Sequence, residues 1–134
     1  MNAIQRRRLL KLADYLEGPV SRAAKRSKHK KFDMSKYGNS KRLGLSKNMC
    51  NTAGCALGWA TNVFPRTFRL RGGWNPDDCQ LQFNGLYEEA SESFPGAQHF
   101  FGLTPEQAEK AFSADNHRNV RQEAALLRRL ARAK

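Results

Sequence analysis

Acidic residues are scarce in this chain of 134 residues: 12 Asp or Glu stand against 24 Lys or Arg, a formal net charge of +12. An imbalance of that size points to an anionic partner. Cysteine is also sparse, and three is an odd number, which argues against a secreted disulfide framework. No apolar run approaches the roughly 20 residues of a membrane span. The basic N-terminus is not followed by the apolar core of a signal peptide, so the expectation is a cytoplasmic protein without membrane contact. Helix-turn-helix, zinc-finger and aromatic RNA-binding signatures are missing as well, which argues against reading of base sequence.

What is present is unevenly spread. Residues 1–47 hold 14 Lys or Arg against three acids, a net of +11, whereas residues 48–134 hold ten against nine, a net of +1. The basicity therefore belongs to the N-terminal third. The run Val20 to Lys31, VSRAAKRSKHKK, has almost no large apolar residue and reads as an exposed loop or a frayed helix. Lysine and arginine in such a run bind phosphates without reading sequence, and the affinity falls steeply with salt. His29 within it reads as another polar loop residue.

The longest segment free of charge holds Met49 to Phe64, MCNTAGCALGWATNVF. Cys55, Ala56, Trp59, Ala60, Val63 and Phe64 recur at helical spacing, so a buried helix starting near Asn51 or Thr52 is expected at the centre of the fold. Gly54 and Gly58, four apart, suit a close backbone approach. Pro65 ends this helix.

Around it, Ile4 to Glu17 reads as a first helix with Leu9, Leu12, Ala13 and Leu16 inward, stopped by Gly18-Pro19. Thr67 to Arg71 and Cys79 to Phe83 alternate like strands, with turn-forming residues between them, and predict a hairpin with a long tip. Trp74 lies on that tip, and Asp77 and Asp78 read there as turn formers. Leu86 to Phe94 reads as a short acidic helix closed by Pro95-Gly96. Thr104-Pro105-Glu106-Gln107 is a helix start with Ala108, Ala111 and Phe112 inward. A last helix, Asn119 to Ala131, places Val120, Ala124, Leu127 and Leu130 inward and Arg121, Arg128, Arg129 and Arg132 outward. The fold class is thus α+β and mainly helical: one small domain with about five helices around a buried central helix, plus a β-hairpin. A basic helix and arm (1–31) precede a globular core (32–134).

Phe32-Asp33-Met34, then Cys50-x-Thr52-x-x-Cys55-Ala56-x-Gly58-Trp59-Ala60, the hairpin, and finally His99-Phe100-Phe101-Gly102-Leu103-Thr104 with Glu106-Gln107-Ala108 and Phe112, form a combined pattern. In this the chain resembles a group of small proteins of uncharacterised function common in bacteriophage genomes and in bacteria. The resemblance spans roughly residues 32 to 130, and it implies a phage-like origin and a small globular fold, with no established activity. Asn51 stands where such proteins usually carry glycine.

Two chemical options come from the residues themselves. Cys50 at a helix N-terminus is a candidate nucleophile with His99 or His117 as base. Cys50, Cys55 and Cys79 with one histidine are candidate zinc ligands, although no second close pair accompanies the first. Burial of Cys55 in a tight helix contact is the plainer explanation, and the expectation is a non-enzymatic protein with no cofactor or metal.

The expected function is nucleic-acid binding through the phosphate backbone of DNA or RNA. Its candidate residues are Arg6, Arg7, Arg22, Lys25, Arg26, Lys28, Lys30, Lys31, Lys41, Arg42 and Trp74. An alternative is a phage counter-defence or host-takeover inhibitor that binds a bacterial protein or ribonucleoprotein complex, such as an acidic or nucleic-acid-binding host protein, for example by blocking its nucleic-acid groove. A pocket for a phosphorylated small molecule at the N-terminus of the central helix is a third class.

Overall fold

The structure is a computed structural model and describes residues 1–22, 56–72, 79–113 and 118–133. Helix α1 (Ala3–Tyr15) begins at a reciprocal cap in which Asn2 Oδ1 accepts the Gln5 N–H at 2.8 Å and Gln5 Oε1 accepts the Asn2 N–H at 2.9 Å. Leu9, Leu12, Ala13 and Leu16 are buried, as their spacing predicts.

Gly18-Pro19 does not stop this helix. The chain passes through a π turn (Leu16–Val20) and remains helical to Arg22, with the Ser21 N–H reaching the Leu16 carbonyl. Proline has no N–H to donate back along the ladder, and a widened turn accommodates the missing bond. Burial of Leu16 and Val20 on the core side keeps the turn seated.

Helix α2 (Ala56–Val63) is the described part of the charge-free segment, and Ala56 to Thr61 are all buried. The Thr61 hydroxyl donates to the Gly58 carbonyl at 2.7 Å, which satisfies its polar group within the helix. Residues 51–55, which hold the expected helix start and Gly54, lie outside the described residues. Pro65 does end the helix. The N–H groups of Thr67 and Phe68 both bond the Phe64 carbonyl and turn the chain directly into the sheet.

The sheet is antiparallel and three-stranded in the order β1 (Phe68–Gly72), β2 (Cys79–Phe83), β3 (Leu86–Tyr87). The expected hairpin is thus present and carries one more strand, because Leu86 opens β3 and not an acidic helix. Asn84 and Gly85 have φ of 49° and 86°. Two successive positive φ values make the tight reversal that Asn-Gly favours between strands. Phe68 pairs with Phe83 and Leu70 with Leu81 on the inner face, where the Phe68 ring stands edge-on to Phe100 at 5.3 Å and stacks with Phe101 at 6.0 Å.

Pro95-Gly96 opens helix α3 (Pro95–Phe101) where the sequence predicted a closure. The residue before it, Phe94, is left-handed (φ 57°) and offers no side-chain cap. Glu88 supplies one from a distance: its carboxylate accepts the N–H groups of Gly96 at 2.7 Å and Ala97 at 3.0 Å. A Cβ on Gly96 would stand 2.4 Å from both Glu88 Oε1 and Phe83 Cγ, so this close approach requires glycine. Helix α4 (Pro105–Phe112) starts at the expected Thr104–Gln107 reciprocal cap and buries Ala108, Ala111 and Phe112. Helix α5 (Val120–Arg132) repeats the device with Asn119 and Gln122. Helix α1 packs on α5, α2 and α3, and α4 bridges α3 to α5. The result is a mainly helical α+β domain, as the sequence predicts.

Candidate nucleic-acid interface

Of the eleven expected binding residues, Arg6, Arg7 and Arg22 are described, and all three are exposed. Lys25, Arg26, Lys28, Lys30, Lys31, Lys41, Arg42 and Trp74 lie outside the described residues, as do Cys50, Cys55 and His117. Sixteen positions separate Arg6 from Arg22, about 24 Å at helical rise, so the arginines mark two ends of one rod and do not converge.

The neighbouring cations have structural work. Arg8 donates from Nη1 to the Phe100 carbonyl at 3.0 Å, and its guanidinium lies 4.1 Å from the centre of the Phe100 ring. The Lys11 ammonium sits 5.6 Å from the Phe64 ring centre. Arg6, at the end of the first turn of α1, gains nothing comparable. That turn holds no acid, and a cation near a helix N-terminus opposes the macrodipole.

Two of the three acids in the basic third are engaged by a residue from the other end of the chain. Arg128 of α5 donates from Nη2 to Asp14 Oδ1 at 2.8 Å and from Nη1 to Glu17 Oε2. Asp14 and Glu17 therefore compensate an α5 arginine, leaving Arg6, Arg7 and Arg22 without an ion-pair partner among the described residues. Arg128 is correspondingly half-buried at the α1–α5 seam and not on the outward face predicted for it.

Two acids elsewhere, Glu88 and Glu123, are buried. Glu123 is fully buried, and its Oε2 accepts from Arg118 Nε at 2.7 Å while Oε1 has no hydrogen-bond partner among the described residues. Burial pushes its carboxyl up to about 7, against the opposing hydrogen bond and charge of Arg118. Burial also raises Glu88, opposed by the N–H groups of Ala97 and Gly96. Neither residue stood out in the sequence, where both read as ordinary helical acids.

An open groove of about 430 Å³ lies between α1, the π turn and α2, lined by Lys11, Asp14, Tyr15, Pro19, Asn62 and Val63. Its two charges are of opposite sign, which gives an anion no net attraction. Among the described residues no group of three His, Cys, Asp or Glu could hold a metal ion, and no helix is long and apolar enough to cross a membrane. His99 is exposed on α3 with its ring 6.4 Å from the Phe83 ring, and no cysteine side chain is described that it could activate.

The outer face of the sheet is a basic surface that the candidate residues did not include. Arg69 pairs with Gln82 and Gln82 with Tyr87, and Arg71 pairs with Gln80 in the next row. The period-two alternation of β1 already places Arg69 and Arg71 opposite Phe68 and Leu70, and Asn84-Gly85 was the signal for the strand that carries Tyr87.

Comparison with known proteins finds no matching family model, no matching curated protein and no matching solved structure.

Proposed function

We propose that this protein is a non-enzymatic, phage-derived basic protein that acts in the bacterial cytoplasm and binds nucleic acid through its phosphates. The observation that carries this reading is the state of the α1 cations. Arg6 and Arg7 are exposed, have no ion-pair partner among the described residues and oppose the helix dipole, while Asp14 of α1 and Glu17 of the π turn are taken up by Arg128. Packing does not require them, whereas an anionic partner does. The net charge of +11 over residues 1–47 supports the same reading, and the resemblance to phage-encoded proteins supports the origin.

Random-sequence DNA and RNA, titrated with the full chain between about 50 and 200 mM salt, test the reading. Dissociation constants of about 10⁻⁴ to 10⁻⁶ M are expected, with a steep salt slope. Replacing Arg6 and Arg7 by glutamine lowers that slope on duplex DNA by about 0.9 for each phosphate no longer neutralised. Affinity no tighter than millimolar at about 0.2 M salt for both polymers sinks the proposal. A stoichiometric protein captured from nuclease-treated host lysate under those conditions would instead favour the counter-defence inhibitor.

A further inference from the structure

The solvent face of the sheet combines three chemistries in a small area. Arg69 and Arg71 supply positive charge, Gln80 and Gln82 supply amide donors and acceptors, and Tyr87 supplies an aromatic ring. Arg69, Arg71, Gln80 and Tyr87 are exposed, Tyr87 by 54%. Arg71 Nε donates to Gln82 Oε1 at 3.2 Å, a diagonal hydrogen bond that draws its guanidinium toward the middle of the face. Arg69 has no hydrogen bond or ion pair among the described residues. The Tyr87 ring likewise has no aromatic neighbour among them, and it sits on the two-residue strand β3.

No carboxylate of β1, β2 or β3 is on this face. The first acid after β3, Glu88, turns inward and spends both oxygens on the N–H groups of α3. The charges described on this face, Arg69 and Arg71, are therefore both positive and complement a polyanion.

The spacing along the row suits a particular form of that polyanion. Adjacent strands lie about 4.8 Å apart, so Arg69 on β1 and Tyr87 on β3 are about 10 Å apart at the backbone, with Gln82 between them. A ring exposed at one end of the row gives a stacking platform, and the guanidinium groups at the other end are placed for the backbone that flanks a stacked base. Duplex DNA offers such a ring nothing, because its bases are already stacked on one another, and the short twisted sheet presents no helix to a groove. An unpaired strand uses all three chemistries.

We propose that this sheet face binds single-stranded nucleic acid, with a base stacked on Tyr87 and the adjoining phosphates held by Arg69 and Arg71. The inference rests on the nucleic-acid reading above and adds the substrate class. Phosphate binding by the basic N-terminal third does not distinguish strand from duplex, so preference for the strand resides in the sheet.

The test uses the full chain with a short oligothymidine strand and, separately, a duplex of equal length. Tyr87→Ala is expected to weaken strand binding roughly five-fold or more, as removal of one base–aromatic stack does, and to leave duplex binding unchanged. Tyr87→Phe keeps the wild-type affinity. Replacing Arg69 and Arg71 together by glutamine lowers the salt slope on the strand by about 0.7 for each phosphate no longer neutralised. As a readout independent of affinity, the fluorescence of a Tyr87→Trp variant is quenched by the strand and not by the duplex. Wild-type binding to duplex alone, or equal weakening on strand and duplex in Tyr87→Ala, overturns the sheet proposal and leaves the phosphate-binding reading standing. Binding of neither polymer by the wild type overturns both.

Discussion

Helices α1 and α5 are built alike and use their arginines in opposite ways. Each has 13 residues, each starts at an asparagine capped reciprocally by a glutamine, and each presents leucines to the other across their shared seam. In α5 the basic residues Arg129 and Arg132 occupy the last turn, where the helix dipole favours them, and Arg128 ties down Asp14 of α1 and Glu17 of the π turn. In α1 the arginines cluster toward the N-terminal end, where the dipole disfavours them, and only Arg8 is recruited to the core. The number of arginines on a helix therefore says little about their availability. Position along the dipole and the presence of an acid on the neighbour decide it.

The seam between the two helices is the first thing to break. Leu127→Ala in α5 removes a fully buried side chain and is expected to cost about 2–5 kcal/mol in urea-unfolding experiments. Leu12→Ala on α1 is expected to fall in the same range. A cost below about 0.5 kcal/mol for either, the range of an ordinary surface change, would mean the two helices do not form one core.

Glu123 comes next, because it makes α5 sensitive to pH. Its folded carboxyl is raised from 4.5 to about 7, so between those values the folded chain holds a proton that the unfolded chain has released. Stability contributed by this group is therefore present in mild acid and declines as pH rises toward about 7; the raised Glu88 acts in the same direction. Glu123→Gln is expected to flatten the decline in unfolding free energy between about pH 5 and pH 7, a decline of roughly 1–3 kcal/mol for a shift of this size. An unchanged pH profile in that variant assigns the dependence elsewhere.

The smallest effect sharpens the contrast most. Arg128→Gln breaks a half-exposed link between the helices and is expected to cost about 0.2–1 kcal/mol, less at high salt. Substituting Arg6 and Arg7 costs no stability, and relief of the dipole conflict works in the favourable direction. Equal destabilisation from the two sets of substitutions, measured by the same urea unfolding, would erase the distinction between structural and available arginines.

Much of the architecture was legible in one dimension, and the reasons are local. The Thr104–Gln107 cap, the inward face of α4, the burial of Leu9, Leu12 and Leu16, and the bounds of β2 all follow from periodicity and capping chemistry over a few residues. Where the structure departs from the sequence pattern, the deciding interaction is distant or competes with a local signal. Leu86 to Phe94 carries three acids and reads as helical, yet the Asn84-Gly85 turn folds its first two residues back onto β2. Gly18-Pro19 reads as a stop, yet burial of Leu16 and Val20 on either side holds a π turn through it.

The candidate binding surface was legible only in part. Exposed Arg6, Arg7 and Arg22 follow from composition and helical phase. The alternation of β1 also puts Arg69 and Arg71 outward, but their grouping with Tyr87 was not legible, because three strands must be brought into register before these residues share a face. Sequence alone determined the segregation of charge, the capped helix starts and the apolar stripes, since each depends on neighbours within about one helical turn or one strand. Tertiary structure alone decided which charges are spent. It set Arg128 on Asp14 and Glu17, Arg8 on Phe100, Glu88 on the start of α3 and Glu123 in the core, because an ion pair or a cap forms only where folding brings its two partners within hydrogen-bond reach.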